Sequence, residues 1–291
     1  VIILLFLVSR FFGLGQLYHQ DEYRWVSQVY TAEFGEVGAP HPPVLKIFLS
    51  LAGRSLGYDN LRVVPFFFGI LNLLLIFVVS FKLTRNKKIA YIASILYLIN
   101  VYGLIANLMI DIDGAVLPFF VLLTYYFYLR ATKDRGRKFI WFLVGAIIAG
   151  LLTKESYVLF FGALAVEYLW TLYDKGQLRY KIKSTGFLLG ISGFLVIVLY
   201  VLYGRENSRF LEYMTDSFGR LFDFGTRAYF DLFLRLFKFF IWFSPLLFLP
   251  MAFGLFKKEI FTKYRIWYVY TLFNLLFYLV IFNFATLPIE R

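Results

Sequence analysis

The chain has 291 residues, of which 60% are hydrophobic, 22% are aromatic and only 16% are charged. Soluble domains carry about 25% charged residues, so this composition excludes an ordinary soluble enzyme and a disordered chain, and the lack of cysteine excludes a disulfide scaffold. The net charge of +12 does not indicate a nucleic-acid partner, because such proteins present their bases on a polar surface. The sequence therefore predicts an all-α, polytopic membrane protein.

Nine apolar runs are candidates for membrane-spanning helices, since a span needs roughly 20 apolar residues. They lie at about 1–15, 61–81, 89–108, 114–129, 139–153, 156–173, 185–203, 236–256 and 266–286. The chain opens at Val1 inside the first run, so we expect its start to be trimmed.

The linkers between these runs predict the orientation. Four of them, at 82–88, 130–138, 174–183 and 257–265, hold 17 of the 30 bases but only three of the 18 acids. By the positive-inside rule these linkers are cytoplasmic, and nine spans place all four on one side. The opposite, extracytoplasmic face then carries the loops 16–60 and 204–235. We expect amphipathic helices in the membrane interface at 43–56 and 209–237, and we expect function on this face.

Two pairs of acids lie at the predicted outer boundary. Asp21 and Glu22 follow the first span. They are either a general base near the membrane surface or ordinary acids at a solvated helix end, and their position alone favours the second reading. Asp111 and Asp113 lie in a very short turn. In an extended segment they would face the same side, where they could hold a divalent metal ion or orient a sugar, or merely mark an aqueous helix end.

Other polar residues on this face have two readings each. His41 lies beside prolines and is either a hydrogen-bonded structural residue or a ligand. Lys154 and Glu155 are either a local ion pair or a site in which the lysine reaches a phosphate. Arg10 and Arg62, near the ends of the first two spans, either snorkel or join the same anion site.

The order of these segments carries a family resemblance. An arginine ends the first span, DE follows in the first outer loop, and HPP opens an amphipathic helix. LRVVPFFFGILNLLLIF, DGAVLPFFVLLTYYFYL and TKE then follow. In this order and topology, over essentially the whole chain, the sequence resembles the GT-C glycosyltransferases of the protein O-mannosyltransferase and aminoarabinose-transferase type.

The resemblance implies a polytopic enzyme that moves a sugar from a polyprenyl-phosphate donor to a protein, lipid or glycan on the extracytoplasmic face of a membrane. Family members commonly continue into further spans. ATLPIER at the end resembles the start of a later outer-loop segment, so we expect a catalytic domain over 1–291 that is truncated at both ends.

The resemblance also implies roles for individual residues. Asp21 matches the proposed catalytic base and Glu22 its neighbour, while Asp113 best matches the acid that opens the fourth span, with Asp111 the alternative. His41 matches the histidine of the HPP segment, and Lys154 lies in the segment near the donor phosphate.

The resemblance and the layout of these residues lead to a hypothesis for the chemistry, a single displacement with inversion, in which we expect the following roles. Asp21 removes the proton of the acceptor hydroxyl as the oxygen attacks the anomeric carbon. A cation stabilises the departing polyprenyl phosphate: Lys154, Arg62 or a divalent metal ion near Asp113.

Two other classes of protein stay open at this point. A transporter or flippase for a lipid-linked substrate would carry ionisable groups near the membrane midplane, whereas here they cluster at one surface. A non-catalytic membrane scaffold of the same fold would tolerate Asp21→Asn and Asp113→Asn.

Overall fold

The computed structural model describes residues 1–31, 42–133, 137–176 and 252–280, together with positions 193, 197, 201, 234 and 237. The regular elements in these ranges are all helical, which confirms the predicted all-α class. The chain separates into two compact units, Val1–Tyr157 and Val158–Arg291. Whether 1–291 acts as one catalytic domain stays a prediction.

The described residues of the first unit form eight α-helices, a 3-10 turn and a π-helix. The α-helices are α1 (Ile2–Phe11), α2 (Gln20–Thr31), α3 (Val44–Leu56), α4 (Val63–Thr84), α5 (Lys87–Ile99), α6 (Val101–Ala106), α7 (Leu117–Lys133) and α8 (Arg137–Leu151). The 3-10 turn covers Tyr58–Asn60 and the π-helix covers Ile112–Val116.

Two helical stretches in the described part of the chain are long and apolar enough to cross a membrane. They are Tyr58–Thr84, which contains α4, and Gly114–Thr132, which contains most of α7. They match the runs predicted at 61–81 and 114–129. Ile2–Phe11 and Lys138–Leu151 are apolar but shorter. The total of nine spans stays a prediction, since most of 185–203 and 236–256 lies outside the described ranges.

The run predicted as one span at 89–108 is two helices, and this prediction was wrong in that respect. Asn100 has an extended backbone, with ψ of 119°, at the end of α5. Its side chain accepts a hydrogen bond of 2.9 Å from the backbone N–H of Gly103 and thereby caps α6. A hydropathy window cannot detect this break, because the residues on both sides are apolar.

The amphipathic helix predicted at 43–56 is present as α3. It begins after Pro43, buries Leu45 and Leu49, and ends at Gly57. Gly57 has a φ of +88°, which a glycine adopts without the strain that a Cβ atom would cause.

Phenylalanine rings connect the long helices of this unit. α4 packs against α5 and α7, and α7 packs against α8. The ring of Phe68 on α4 lies 5.0 Å from Phe48 on α3 and 5.1 Å from Phe119 on α7, both edge to face. This core fixes the ends of α3, α4 and α7, where the candidate site lies.

The second unit contains α9 (Tyr157–Asp174), which begins at the boundary, and α10 (Lys258–Val280). Arg265 joins them: its Nε donates to Oε2 of Glu167 at 2.8 Å, and its Nη1 donates to Oδ2 of Asp174 at 3.4 Å. The guanidinium also lies 4.5 Å from the ring centre of Trp170. Arg265 is only 5% exposed, whereas the side chains of Glu167 and Asp174 are 17% and 49% exposed, so this is a partly buried ion pair between two helices.

Candidate active site

A buried ion pair joins the first acidic motif to the start of α4. Glu22, on α2, is 1% exposed and Arg62, which precedes α4, is 7% exposed. Arg62 Nε donates to Oε1 of Glu22 at 3.0 Å, and Nη2 donates to Oε2 at 2.5 Å. The solvated-acid reading of Glu22 is therefore wrong, since solvent hardly reaches this carboxylate.

The remaining donors of Arg62 hold the segment that leads from α1 to α2. Nη1 donates to the carbonyls of Gly13 and Gln16 at 3.1 and 2.8 Å, and Nη2 donates to the carbonyl of Leu17 at 2.8 Å. An arginine has five N–H donors, and all five are used in these contacts. We call Arg62, Glu22 and their partners the clasp.

Tyr18 supports the clasp from the side of the 3-10 turn. Its hydroxyl donates to the carbonyl of Tyr58 at 2.8 Å and accepts from the N–H of Leu61 at 3.0 Å. Arg62 lies 5.3 Å from the centre of its ring. Burial raises the pKa of the Tyr18 hydroxyl, so it stays protonated and keeps its donor. The hydroxyl thereby fixes the residue directly before Arg62.

Glu22 also reaches the second acidic motif. Its Oε1 accepts a hydrogen bond of 2.9 Å from the backbone N–H of Ile110, which lies 88 residues further along the chain. The neighbours of these two residues are Asp21 and Asp111. The two acidic motifs that the sequence singled out are therefore adjacent in the first unit.

The environment of Glu22 keeps it ionised. Burial alone would raise the pKa of its carboxyl, but hydrogen bonds from Arg62 and from the N–H groups of His19 and Ile110 outweigh burial and lower the pKa. The carboxylate is thus a fixed negative charge, and both of its oxygens accept hydrogen bonds.

The segment 107–113, which we call the acidic turn, continues into a π-helix rather than an extended strand. Asp111 precedes the π-helix and Asp113 is its second residue. The premise that both acids face one side in an extended segment is therefore wrong. Gly114 allows the change, because a Cβ atom there would lie 2.7 Å from the carbonyl oxygen of Ala106.

A buried lysine lies near the other predicted cation. The N–H of Val44 donates to the carbonyl of Leu152 at 3.1 Å, which docks the start of α3 on the turn after α8. Lys46 is 2% exposed, and burial lowers the pKa of its ammonium to about 7, although Glu155 opposes this effect. The sequence analysis missed Lys46. Its one available signal was a charged residue on the apolar face of an amphipathic helix.

The predicted site residues therefore fall into three groups. The structure brings Glu22, Arg62 and Asp111 into one neighbourhood, and Glu155 lies near Lys46, next to Lys154. His41 and the side chains of Asp21 and Asp113 lie outside the described part of the chain. Among the residues that are described, no three of His, Cys, Asp and Glu are gathered as a metal site.

Comparison with known proteins gives one family. Residues 40–203, more than half of the chain, match the model of the dolichyl-phosphate-mannose-protein mannosyltransferase family. No curated protein and no solved structure matches the chain significantly. The matched range includes Arg62, the acidic turn and the segment of Lys154. The chain therefore belongs to the dolichyl-phosphate-mannose-protein mannosyltransferase family and is a membrane glycosyltransferase of the GT-C class.

Proposed function

We propose that the chain transfers a sugar, with inversion, from its polyprenyl-phosphate donor to a hydroxyl acceptor at the point where α2 meets the acidic turn. The hydrogen bond between Glu22 and the N–H of Ile110 is the observation that carries this proposal. It brings together two acid-bearing segments from distant parts of the sequence, as a site with a general base and an orienting acid requires.

Asp21 is the proposed general base. It takes the proton of the acceptor hydroxyl while the oxygen forms a bond to the anomeric carbon. The bond from that carbon to the phosphate oxygen breaks, and polyprenyl phosphate departs with the electron pair. General-base help of this kind contributes about 10²–10⁴ in rate. Asp113, with Asp111 as the alternative, is the proposed acid that orients the sugar.

Arg62 has a positioning role in this proposal. All five of its N–H donors are used inside the protein. The phosphate of the sugar donor would therefore be contacted by another cation. Lys154 is the candidate for this contact, and Glu155, the next residue, lies near Lys46. His41, in the HPP segment of the sequence, is a further candidate for binding the sugar donor. A divalent metal ion near Asp111 and Asp113 is the second source of positive charge.

The charge pattern of the linkers predicts on which side of the membrane the reaction takes place. The basic linkers favour a multi-pass cell-membrane protein with the clasp on the extracytoplasmic face. The donor lipid would remain in the bilayer, and the sugar would lie on the extracytoplasmic side near the acidic turn. The acceptor is a protein, a lipid or a glycan.

The test is a transfer assay in membranes that contain the full chain. Polyprenyl phosphate carrying radiolabelled mannose is the first donor, followed by other sugars. The variant is Asp21→Asn, and the matched control is Asp59→Asn, the same change at an exposed residue of the same loop. We expect transfer to fall at least about 100-fold in Asp21→Asn and to be unchanged in Asp59→Asn.

Four results would contradict parts of the proposal. Retained anomeric configuration in the product would exclude the single displacement. Normal transfer by Asp21→Asn would move the base elsewhere, with Asp113 next. Uptake of the lipid-linked sugar into vesicles without a covalent product would favour the transporter or flippase, and an unchanged phenotype of Asp21→Asn and Asp113→Asn without any transfer would favour the scaffold.

A further inference from the structure

A buried amide on α4 holds the π-helix that carries Asp113. Asn72 is 1% exposed in the interior of a helix that is otherwise strongly apolar. Its Nδ2 donates a hydrogen bond of 2.8 Å to the carbonyl of Ala115, 43 residues further along the chain. Ala115 lies two residues after Asp113 and is fully buried. Asn72 therefore holds the π-helix that follows the acidic turn.

A second contact holds the near side of the same segment. The Tyr97 hydroxyl on α5 donates to Oδ1 of Asn107 at 2.9 Å, and Asn107 is the first residue of the acidic turn. Gly69 makes room for it, since a Cβ atom at that position would lie 2.6 Å from Oδ1 of Asn107. With the Glu22 contact at Ile110, the segment is held at Asn107, Ile110 and Ala115.

A gain in stability does not explain these contacts of Asn72 and Asn107 well. The Oδ1 atom of Asn72 and the Nδ2 atom of Asn107 have no hydrogen-bond partner in the described part of the chain. A buried polar group with only part of its hydrogen bonds contributes less to the stability of the folded protein than an apolar side chain of the same shape. In a membrane-spanning helix such a group is expensive, and polar residues there tend to serve function.

We propose that Asn72 and Tyr97 are positioning residues, which set the place of Asp111 and Asp113 relative to the first acidic motif. This inference rests on the proposed glycosyl transfer. The π-helix is the element that they hold, and π-helical turns occur frequently at functional sites. A shift of about 1 Å in a catalytic group can reduce the rate on the order of 100-fold, so small supports of this kind affect the turnover number.

The test is Asn72→Leu, which keeps the size of the side chain and removes the bond to Ala115. Its matched control is Asn274→Leu, because the Asn274 amide donates within its own helix, to the Tyr270 carbonyl at 2.7 Å. We expect kcat for transfer to fall about tenfold or more in Asn72→Leu. The KM for the donor should stay within about twofold, and the thermal midpoint should change little, because the variant removes the unpartnered Oδ1 atom together with the bond to Ala115. The control should keep its kcat.

A second variant covers the case in which Asn72→Leu does not fold. Tyr97→Phe keeps the ring and removes only the hydroxyl, and it should lower kcat with an unchanged KM in the same way. A purely structural role predicts the opposite: a lower thermal midpoint with normal kcat per folded molecule. That result in the variants that fold would overturn the inference.

A labelling experiment separates this inference from the proposed function. The chain contains no cysteine, so Met109→Cys gives a single reporter on the acidic turn. We expect Asn72→Leu to change its rate of maleimide labelling by about threefold or more, because the turn is less firmly held, and Asn274→Leu to leave it unchanged. A labelling change without transfer by the unmodified chain would refute the proposed function alone. Normal transfer and normal labelling would refute the positioning role.

Discussion

Glu22→Gln separates stability from catalysis at the first acidic motif. The change keeps the shape of the side chain but removes its charge and turns one oxygen into a donor group. In the clasp both oxygens accept: Oε1 from Arg62 and Ile110, and Oε2 from Arg62 and His19. The oxygen of a glutamine can accept from the two donors at one of these positions. Its NH₂ group then faces the two donors at the other position and cannot accept from them.

The expected loss of stability is large. Arg62 would remain buried with its charge uncompensated, and breaking a buried ion pair by changing one partner costs about 3–5 kcal/mol. Replacing both members is much less harmful, because no charge is left behind. We therefore expect Glu22→Gln to lower the free energy of unfolding by about 3–5 kcal/mol and the double variant Glu22→Gln, Arg62→Met to recover part of that loss.

The assay is denaturant unfolding in detergent micelles, repeated over a pH series. Because the pKa of folded Glu22 lies below its ordinary value of 4.5, its stabilising effect is present above that pH and disappears as the pH falls through the folded value. The difference between the wild-type chain and Glu22→Gln should therefore shrink in acid. Equal stability of the two at neutral pH would refute the clasp. Asp21→Asn, one residue away, should lose transfer with unchanged stability.

Three further changes test other parts of the structure. Gly114→Ala places a Cβ atom against the Ala106 carbonyl and should destabilise the chain by about 1–3 kcal/mol in the same unfolding assay, whereas Gly145→Ala, which meets no atom within 4 Å, should not destabilise it. Arg265→Met leaves two carboxylates between α9 and α10 without their cation. Since solvent reaches both carboxylates, we expect a loss of about 1–3 kcal/mol; an unchanged midpoint would contradict the inter-helix ion pair. The pKa of Lys46 lies near 7 when folded and at 10.5 otherwise, so wild-type stability should rise with pH from about 7 to 10 as the unfolded chain retains the proton. The same titration of Lys46→Met should lack this rise.

The helical parts of the fold were predictable where one physical signal dominates. The apolar runs at 61–81 and 114–129 were long enough to identify α4 and α7 from hydropathy alone. Pro43 and the amphipathic face after it identified α3. The break at Asn100 was not predictable in this way, because a cap is a contact between one side chain and one N–H and leaves the average hydropathy of the segment unchanged.

The contacts of the site could not be predicted for a different reason. Glu22 and Arg62 are 40 residues apart, and Glu22 and Ile110 are 88 apart. Hydropathy and spacing describe neighbours along one helix, whereas these contacts depend on how three segments pack. The family resemblance pointed to Asp21 and Glu22 together and did not indicate that Glu22 is buried in an ion pair. Asn72 carried a visible signal, an amide within an apolar run, but its partner is a backbone carbonyl that the sequence does not mark.

The clasp suggests why two acids stand side by side in the first loop. Adjacent residues on a helix point about 100° apart, so the face of α2 that meets Arg62 and Ile110 belongs to Glu22. A carboxylate with a lowered pKa and acceptor contacts on both oxygens is a poor proton acceptor, because accepting a proton would break the ion pair. This supports the proposal that the base is the neighbouring acid, Asp21, while Glu22 joins α2 to the acidic turn. Exchanging the pair, as in Asp21→Glu with Glu22→Asp, should therefore abolish both the clasp and the transfer, although the net charge and the composition are unchanged.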